Sequence, residues 1–223
     1  MAEAGVLSGV TRDFTAAFGT VLEGAADTTL LPFVEAVRGI DPRRARDRRV
    51  GRPGFAALAH LPAALAGLRG DDRLARAIRA TLPHLDWRSS YSGKGPSAGI
   101  HGRMIWAEIA GLTGFVPMSG TRLGLFLISP HLHYGLHGHT ADEIYHLVSG
   151  RLSITLGLEG AEQALRPGET FRTPAGAAHA LTTGAEPALI VYNWTGDVTG
   201  PVWWWRRRED GSFEKLQPDV VQR

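Results

Sequence analysis

The 223-residue sequence contains no cysteine. That absence excludes disulfide bonds, zinc–thiolate sites, iron–sulfur clusters and a cysteine nucleophile. Any metal ion in this chain must therefore be held by histidine, carboxylate or tyrosine side chains.

Lysine is almost as scarce, because only Lys94 and Lys215 are present. Few groups therefore titrate between pH 7 and 9, and a formal net charge of +2 already gives a sequence pI near 9.3. This high pI is no argument for nucleic-acid binding. The basic run over residues 43–49 has no interleaved aromatic residues, so it predicts a solvated surface and no nucleic-acid partner.

Long apolar runs are also lacking. No stretch of the sequence reaches the roughly 18 apolar residues that a membrane span needs. The first residues also lack the basic segment that begins a signal peptide. We therefore expect a soluble, cytoplasmic protein without a membrane partner.

The first third of the chain has the apolar spacing of helices. The predicted helices cover residues 12–23, 29–37, 55–68 and 71–82. A glycine-rich connector follows, and Met104–Leu112 is apolar enough for either a strand or a short helix. From residue 121 onward, short apolar runs alternate with Gly and Pro, which is typical of an all-β sandwich or barrel. The clearest predicted strands are Leu123–Ile128, Glu143–Val148, Leu152–Leu158 and Ala188–Trp194.

These patterns predict a mainly β chain divided into three parts. Residues 1–85 form a helical extension packed on a barrel, residues 86–205 form the barrel, and residues 206–223 form a polar C-terminal tail.

Six of the nine histidines fall in the strand-rich half. They are His131, His133, His137, His139, His146 and His179. Because His137 and His139 are two residues apart, a strand projects both side chains to one face. In the next strand Glu143, Tyr145 and Leu147 share one face, whereas Ile144, His146 and Val148 share the other. Two or three imidazoles with one carboxylate form a site for one divalent Fe, Zn, Mn, Ni or Co ion.

The other three histidines are predicted to lie outside the ligand set. Gly135 predicts a bulge in the strand before His137, so we expect His131 and His133 at the pocket rim. His146 lies on the opposite strand face and is predicted to be a packed or interface histidine.

The spacing of these ligands resembles the two cupin motifs. His137-x-His139-x3-Glu143-x6-Gly150 is similar to the first motif, and Gly168-x5-Pro174-x-Gly176-x2-His179 to the second. Two positions depart from the family pattern: His131 replaces a glycine and Thr183 replaces an asparagine. The resemblance implies a single cupin (jelly-roll) barrel with a metal held by His137, His139, Glu143 and His179.

A narrower resemblance, strongest over residues 131–196, is to the cupin dimethylsulfoniopropionate lyases. It rests on the strings Glu143-Ile-Tyr145-His146 and His179-Ala-Leu-Thr-Thr-Gly184, and on the helical extension. It implies a β-elimination that gives dimethyl sulfide and acrylate from a small zwitterionic carboxylate whose carboxylate binds the metal. Tyr145 matches the tyrosine that acts as general base in those lyases, and a nearby divalent cation favours a phenolate.

The sulfonium group of such a substrate is a cation that cannot be hydrogen-bonded, so aromatic faces are expected to hold it. Trp194 and Tyr134 are the first candidates, followed by Tyr192, with His133 at the pocket rim. The remaining aromatic candidates are Phe126, Trp106, Trp87 and Tyr91.

Two other functions use the same fold. One is a different metal-dependent cupin enzyme, such as a dioxygenase or isomerase, in which Tyr145 would not be needed as a base. The other is a non-enzymatic metal-sensing cupin, which the absence of cysteine disfavours. The sequence also leaves open a homodimer, with Trp203–Trp205 as either an interface patch or a surface packed on the helices.

Overall fold

The computed structural model describes residues 2–48, 50–51, 53–68, 72–94 and 97–217. Three parts of the sequence predictions lie outside the described residues: residue 49 of the basic run, residue 71 at a predicted helix start, and residues 218–223 of the tail.

Helices form the first part of the chain, as predicted. They are α1 (Ala2–Gly24), α2 (Leu31–Arg38), α3 (Leu61–Ala66) and α4 (Arg73–Thr81). Helix α1 buries one face through Phe14, Phe18 and Leu22, which recur every four residues. Helix α4 begins after Asp72, whose side chain accepts a hydrogen bond of 2.9 Å from the Leu74 amide. Within the described residues, no helix combines the length and the apolar character that a membrane crossing requires.

In the described part of the chain, twelve strands follow in two six-stranded sheets. They are β1 (Met104–Gly111), β2 (Val116–Pro117), β3 (Thr121–Ile128), β4 (His133–His139), β5 (Ala141–Ser149), β6 (Leu152–Leu156), β7 (Glu162–Leu165), β8 (Thr170–Thr173), β9 (His179–Thr182), β10 (Ala188–Gly196), β11 (Val202–Arg207) and β12 (Phe213–Leu216). The first sheet has the order β2-β1-β3-β10-β5-β8 and the second β12-β11-β4-β9-β6-β7. The ambiguous segment from Met104 is therefore a strand, and the predicted mainly β fold is confirmed.

The two faces of the first sheet carry two separate apolar clusters. Tyr145 and Leu147 of β5 belong to the cluster inside the barrel, whereas Ile144 belongs to the cluster outside it. Strand β10 alternates in the same way, with Tyr192 and Trp194 inside and Val191 outside. The predicted face assignment of β5 is thus confirmed, and the inner face is where a site can form.

The outer cluster joins the helices to the first sheet. It contains Phe18 and Val37 from the helices together with Ile105, Leu125 and Val191 from β1, β3 and β10. Because the sheet is covered on its outer face, its strands are apolar on both faces and read as continuous apolar runs.

The second sheet continues past the barrel boundary that was predicted at residue 205. Strand β11 runs to Arg207, and β12 pairs with it in an antiparallel hairpin. The polar composition of this segment suggested a tail, but the charged groups stabilise the hairpin. Arg206 and Arg208 both bond Glu214, and the Lys215 ammonium lies 4.2 Å from the Trp203 ring centre.

Candidate active site

A bulge in β4 decides which side chains enter the barrel. Tyr134 pairs with Leu181 and His137 with His179, so β4 uses one more residue than β9 between these pairs. The extra residue reverses the alternation of side chains. Tyr134 therefore shares the inner face with His137, whereas His133 points outward and is exposed. This is the bulge that Gly135 predicts.

Three strands bring the predicted ligands together. Ligand atoms of His139 (β4), Glu143 (β5) and His179 (β9) all lie within 4.8 Å of one another. His139 Nε2 lies 2.8 Å and His179 Nε2 lies 3.8 Å from Glu143 Oε2. All three side chains are at most 2 % exposed, so bulk water cannot solvate the Glu143 carboxylate.

Backbone carbonyls fix the tautomers of the histidines. The Nδ1 atoms of His137, His139 and His179 lie 2.9, 2.9 and 3.0 Å from carbonyl oxygens of residues 135, 141 and 177. A carbonyl only accepts, so each Nδ1 carries the proton. The Nε2 lone pairs remain for a ligand, which is the arrangement common in metal-binding histidines.

Electrostatics favour a cation in this cluster. Burial and neighbouring His139 lower the pKa of His179 to about 4, and burial lowers the pKa of His137 well below its usual value. Both rings are therefore neutral at pH 7. His139 Nε2 lies 2.8 Å from Glu143 Oε2, so an imidazole nitrogen and a carboxylate oxygen converge in this cluster. Glu143 Oε1 is buried without a hydrogen-bond partner among the described residues. The donor set thus fits a divalent ion.

His137 occupies a different position from the other predicted ligands. Its ring centre lies 4.0 Å from that of His179 and 6.4 Å from that of His139. It also stacks on Tyr134 at 3.8 Å with an interplanar angle of 25°. The structure places His137 beside the three-residue cluster without including it in that cluster.

Tyr145 lies against the cluster. Its hydroxyl donates to Glu143 Oε2 at 2.6 Å and lies 3.3 Å from His179 Nε2. Burial, together with the Glu143 carboxylate, raises the pKa of Tyr145 well above its usual value of about 10. Without added positive charge, Tyr145 is a neutral phenol.

The cluster opens onto a small aromatic cavity of about 40 Å³. Its lining comprises Ser90, Tyr91, Met104, Trp106, Arg122, Phe126, Tyr134, His137, His139, Glu143, Tyr145, Tyr192, Trp194 and Val202. Tyr134, Tyr192 and Trp194 thus lie in this cavity, as do the candidates Phe126, Trp106 and Tyr91. His133 instead lines a larger outer groove and bonds Thr182 at 3.0 Å.

The contacts of these aromatic side chains differ. Phe126 and Tyr192 pack with ring centres 4.7 Å apart, and Phe126 lies 6.4 Å from Tyr145. Trp194, by contrast, stacks on His139 at 4.2 Å and lies 5.0 Å from the Arg122 guanidinium carbon. Phe126 and Tyr192 thus form an aromatic pair, and Phe126 lies beside the Tyr145 ring.

Sequence reasoning missed Arg122 and Glu108. The two side chains form a salt bridge and are 4 % and 0 % exposed, and Arg122 lines the cavity. A signal was present, because each is a single charge within an apolar strand, and a buried charge needs a partner. The pairing itself follows only from the register of β1 against β3.

Known proteins resemble this chain over most of its length. The family model described as dimethylsulfoniopropionate lyase matches residues 41–190. The dimethylsulfoniopropionate lyase DddQ of Ruegeria pomeroyi is 30% identical over 120 residues, which are 52% of this chain and 58% of that relative. The alignment thus spans less than two thirds of the relative's own length.

Two solved structures share the fold. One, from a study of the dimethylsulfoniopropionate lyases RdDddP and RnDddQII, has 28% identity and a TM-score of 0.66, covering 87% of this chain and 96% of that one. The other, DddQ from Ruegeria pomeroyi DSS-3, has 22% identity and a TM-score of 0.62, covering 84% and 95%. The family model, the relative and the first structure confirm the sequence resemblance, and this chain belongs to the dimethylsulfoniopropionate lyase family.

Proposed function

We propose that this protein cleaves dimethylsulfoniopropionate by β-elimination to dimethyl sulfide and acrylate. Membership of the lyase family supports the reaction class. The observation that carries the proposal is the Tyr145 hydroxyl, which lies 2.6 Å from Glu143 Oε2 inside an aromatic cavity.

His139, Glu143 and His179 would hold one divalent transition metal ion, with His137 beside them. When bound, such an ion supplies positive charge that stabilises the substrate carboxylate and a Tyr145 phenolate. Imidazole and carboxylate donors suit Fe(II), Zn(II), Mn(II), Ni(II) and Co(II). Activity assays with each ion decide which of them supports the reaction.

Tyr145 acts as the general base. As a phenolate, after its own proton has left to solvent, Tyr145 takes the proton from the substrate Cα through its oxygen, and the C–H electron pair forms the double bond of acrylate. The Cβ–S bond breaks, and its electron pair leaves with sulfur as dimethyl sulfide. Before that proton leaves, contacts of 2.6 and 3.3 Å with Glu143 and His179 position the Tyr145 oxygen.

The aromatic wall beside Tyr145 holds the sulfonium group. Tyr192 pairs in register with Tyr145 on the neighbouring strand, and Phe126 contacts both rings. Tyr134 faces the cavity from β4. In the substrate, only one carbon separates the sulfonium sulfur from the carbon that loses its proton to Tyr145. The sulfonium group must therefore lie close to Tyr145, which places it against Phe126 and Tyr192.

The test supplies dimethylsulfoniopropionate to purified protein loaded separately with Fe(II), Mn(II), Zn(II), Co(II) and Ni(II). Dimethyl sulfide is measured in the headspace. We expect dimethyl sulfide and acrylate in equal amounts with at least one ion. If no ion gave dimethyl sulfide, in protein shown by elemental analysis to be loaded with metal, the result would contradict the proposal and favour another metal-dependent cupin reaction.

A further inference from the structure

The buried ion pair in the cavity wall has no part in the elimination described above. Arg122 donates from Nε to Glu108 Oε1, and Glu108 Oε2 accepts from the Thr113 amide at 2.6 Å and the Thr113 hydroxyl at 2.8 Å. Both carboxylate oxygens of Glu108 thus accept hydrogen bonds. Arg122 is therefore held at Nε, and its side chain lines the cavity.

Two tryptophans contact the guanidinium. Its central carbon lies 5.0 Å from the ring centres of both Trp106 and Trp194. Trp106 is in turn anchored by a 2.8 Å hydrogen bond to Ser90 Oγ. The same Trp194 ring stacks on His139, so Arg122 and the metal-ligand cluster share one aromatic neighbour.

A buried ion pair contributes little net stability, because desolvation of both charges offsets their attraction. A better-packed apolar pair would serve a purely structural role as well. What a buried arginine offers is a permanent charge and a planar fork of N–H donors that matches a carboxylate. Its position in the cavity wall makes those donors available to a small molecule.

We propose that Arg122 binds the carboxylate of the substrate and thereby sets the direction in which the substrate enters the cavity. This inference rests on the proposed function, whose substrate carries a carboxylate at one end and a cation at the other. A carboxylate has two oxygens. One would meet the guanidinium, and the other would meet a divalent ion held by His139, Glu143 and His179. Arg122 also repels cations from Trp106 and Trp194, which leaves the sulfonium group to Phe126 and Tyr192.

The test measures binding of propionate, a carboxylate that cannot undergo elimination, to metal-loaded protein by isothermal titration calorimetry. Glu108→Gln/Arg122→Met removes both charges and leaves neither one buried alone. Arg122→Lys keeps the positive charge without the planar fork. Neutral propionamide is the matched probe, and elemental analysis confirms equal metal content.

We expect the propionate Kd to rise at least ~10-fold in the double variant and by less in Arg122→Lys, with propionamide affinity unchanged. With dimethylsulfoniopropionate, Arg122→Lys is expected to raise KM more than it lowers kcat. A propionate Kd within about twofold of wild type in both variants, or no propionate binding by wild type, would overturn the role of Arg122.

This outcome is separable from failure of the proposed function. Arg122-dependent propionate binding without dimethyl sulfide release would retain a carboxylate site and reject the sulfonium substrate. Dimethyl sulfide release with propionate binding that does not depend on Arg122 would retain the lyase and reject only this inference.

Discussion

At the scale of single residues, the site depends on histidines whose tautomers are fixed by the backbone. The Nδ1 contacts of 2.9 Å in His139 and 3.0 Å in His179 orient both Nε2 atoms toward Glu143. Each ligand is therefore oriented before an ion arrives, which lowers the entropic cost of binding.

His139→Ala and His179→Ala are expected to abolish retention of the metal through gel filtration, because each removes one of the three clustered donors. The matched control is His146→Asn, which changes a buried histidine on the opposite face of β5. Elemental analysis of the purified variants provides the measurement. Full metal content in either alanine variant would remove that histidine from the ligand set.

Tyr192→Leu is expected to raise the KM for dimethylsulfoniopropionate about 10-fold, which corresponds to the roughly 1–2 kcal/mol of a desolvated cation–π contact. The inhibition constant for acrylate should stay the same, since acrylate has no cationic group. Steady-state assays with acrylate as inhibitor separate the two effects. Equal changes in both constants would instead indicate a general distortion of the cavity.

At the scale of elements, the β4 bulge shows what the sequence could and could not predict. The motif spacing predicted His137, His139, Glu143 and His179, and Gly135 predicted the bulge. Strand alternation alone cannot place His133, because one inserted residue reverses the faces. The position of His133 follows only from the pairing of β4 with β9.

Close packing of β3 against β1 pairs Glu108 with Gly124, two residues from Arg122. A Cβ added at Gly124 would overlap the Ala107 carbonyl oxygen, and it would lie 2.9 Å from the carbonyl carbon. Gly124→Ala should therefore lower the free energy of unfolding by about 1–3 kcal/mol. Urea unfolding provides the measurement, with Gly120→Ala as control because no atom lies within 4 Å of its added Cβ. If Gly124→Ala and Gly120→Ala had equal urea midpoints, β1 and β3 would be able to move apart and accommodate the added Cβ without loss of stability.

At the scale of the whole molecule, the helical layer and the barrel share one apolar cluster across β1, β3 and β10. Helical spacing predicted the helices, and glycine and proline spacing predicted a barrel. The face of the barrel that the helices cover was not predictable, because the strands involved are apolar on both sides. The hairpin of β11 and β12 was missed because β11 ends in Arg206 and Arg207 and two of the four residues of β12 are charged.

His146 links this helical contact to pH. Its ring packs edge-on against Phe18 of α1 at 5.9 Å, and burial lowers its pKa to about 4, against a partial opposing effect of Asp72. The unfolded chain binds a proton near pH 6.5, whereas the folded chain does not until about pH 4, so stability falls as pH drops through this window.

The loss attributable to His146 is expected to be about 2 kcal/mol between pH 7 and pH 5. Urea unfolding of wild type and His146→Asn at both pH values isolates this contribution. The variant should lose correspondingly less stability on acidification. An identical loss in the two proteins would mean that His146 is protonated without penalty in the folded state.

The most direct test of the whole account is the rate of dimethyl sulfide release by Tyr145→Phe, compared with wild type at equal metal occupancy. Removal of the hydroxyl leaves the ring packed in the barrel but removes the base. The expected result is an intact fold, full metal content and a kcat/KM lower by at least ~100-fold. A variant that retains metal and releases dimethyl sulfide within about threefold of the wild-type rate would contradict it.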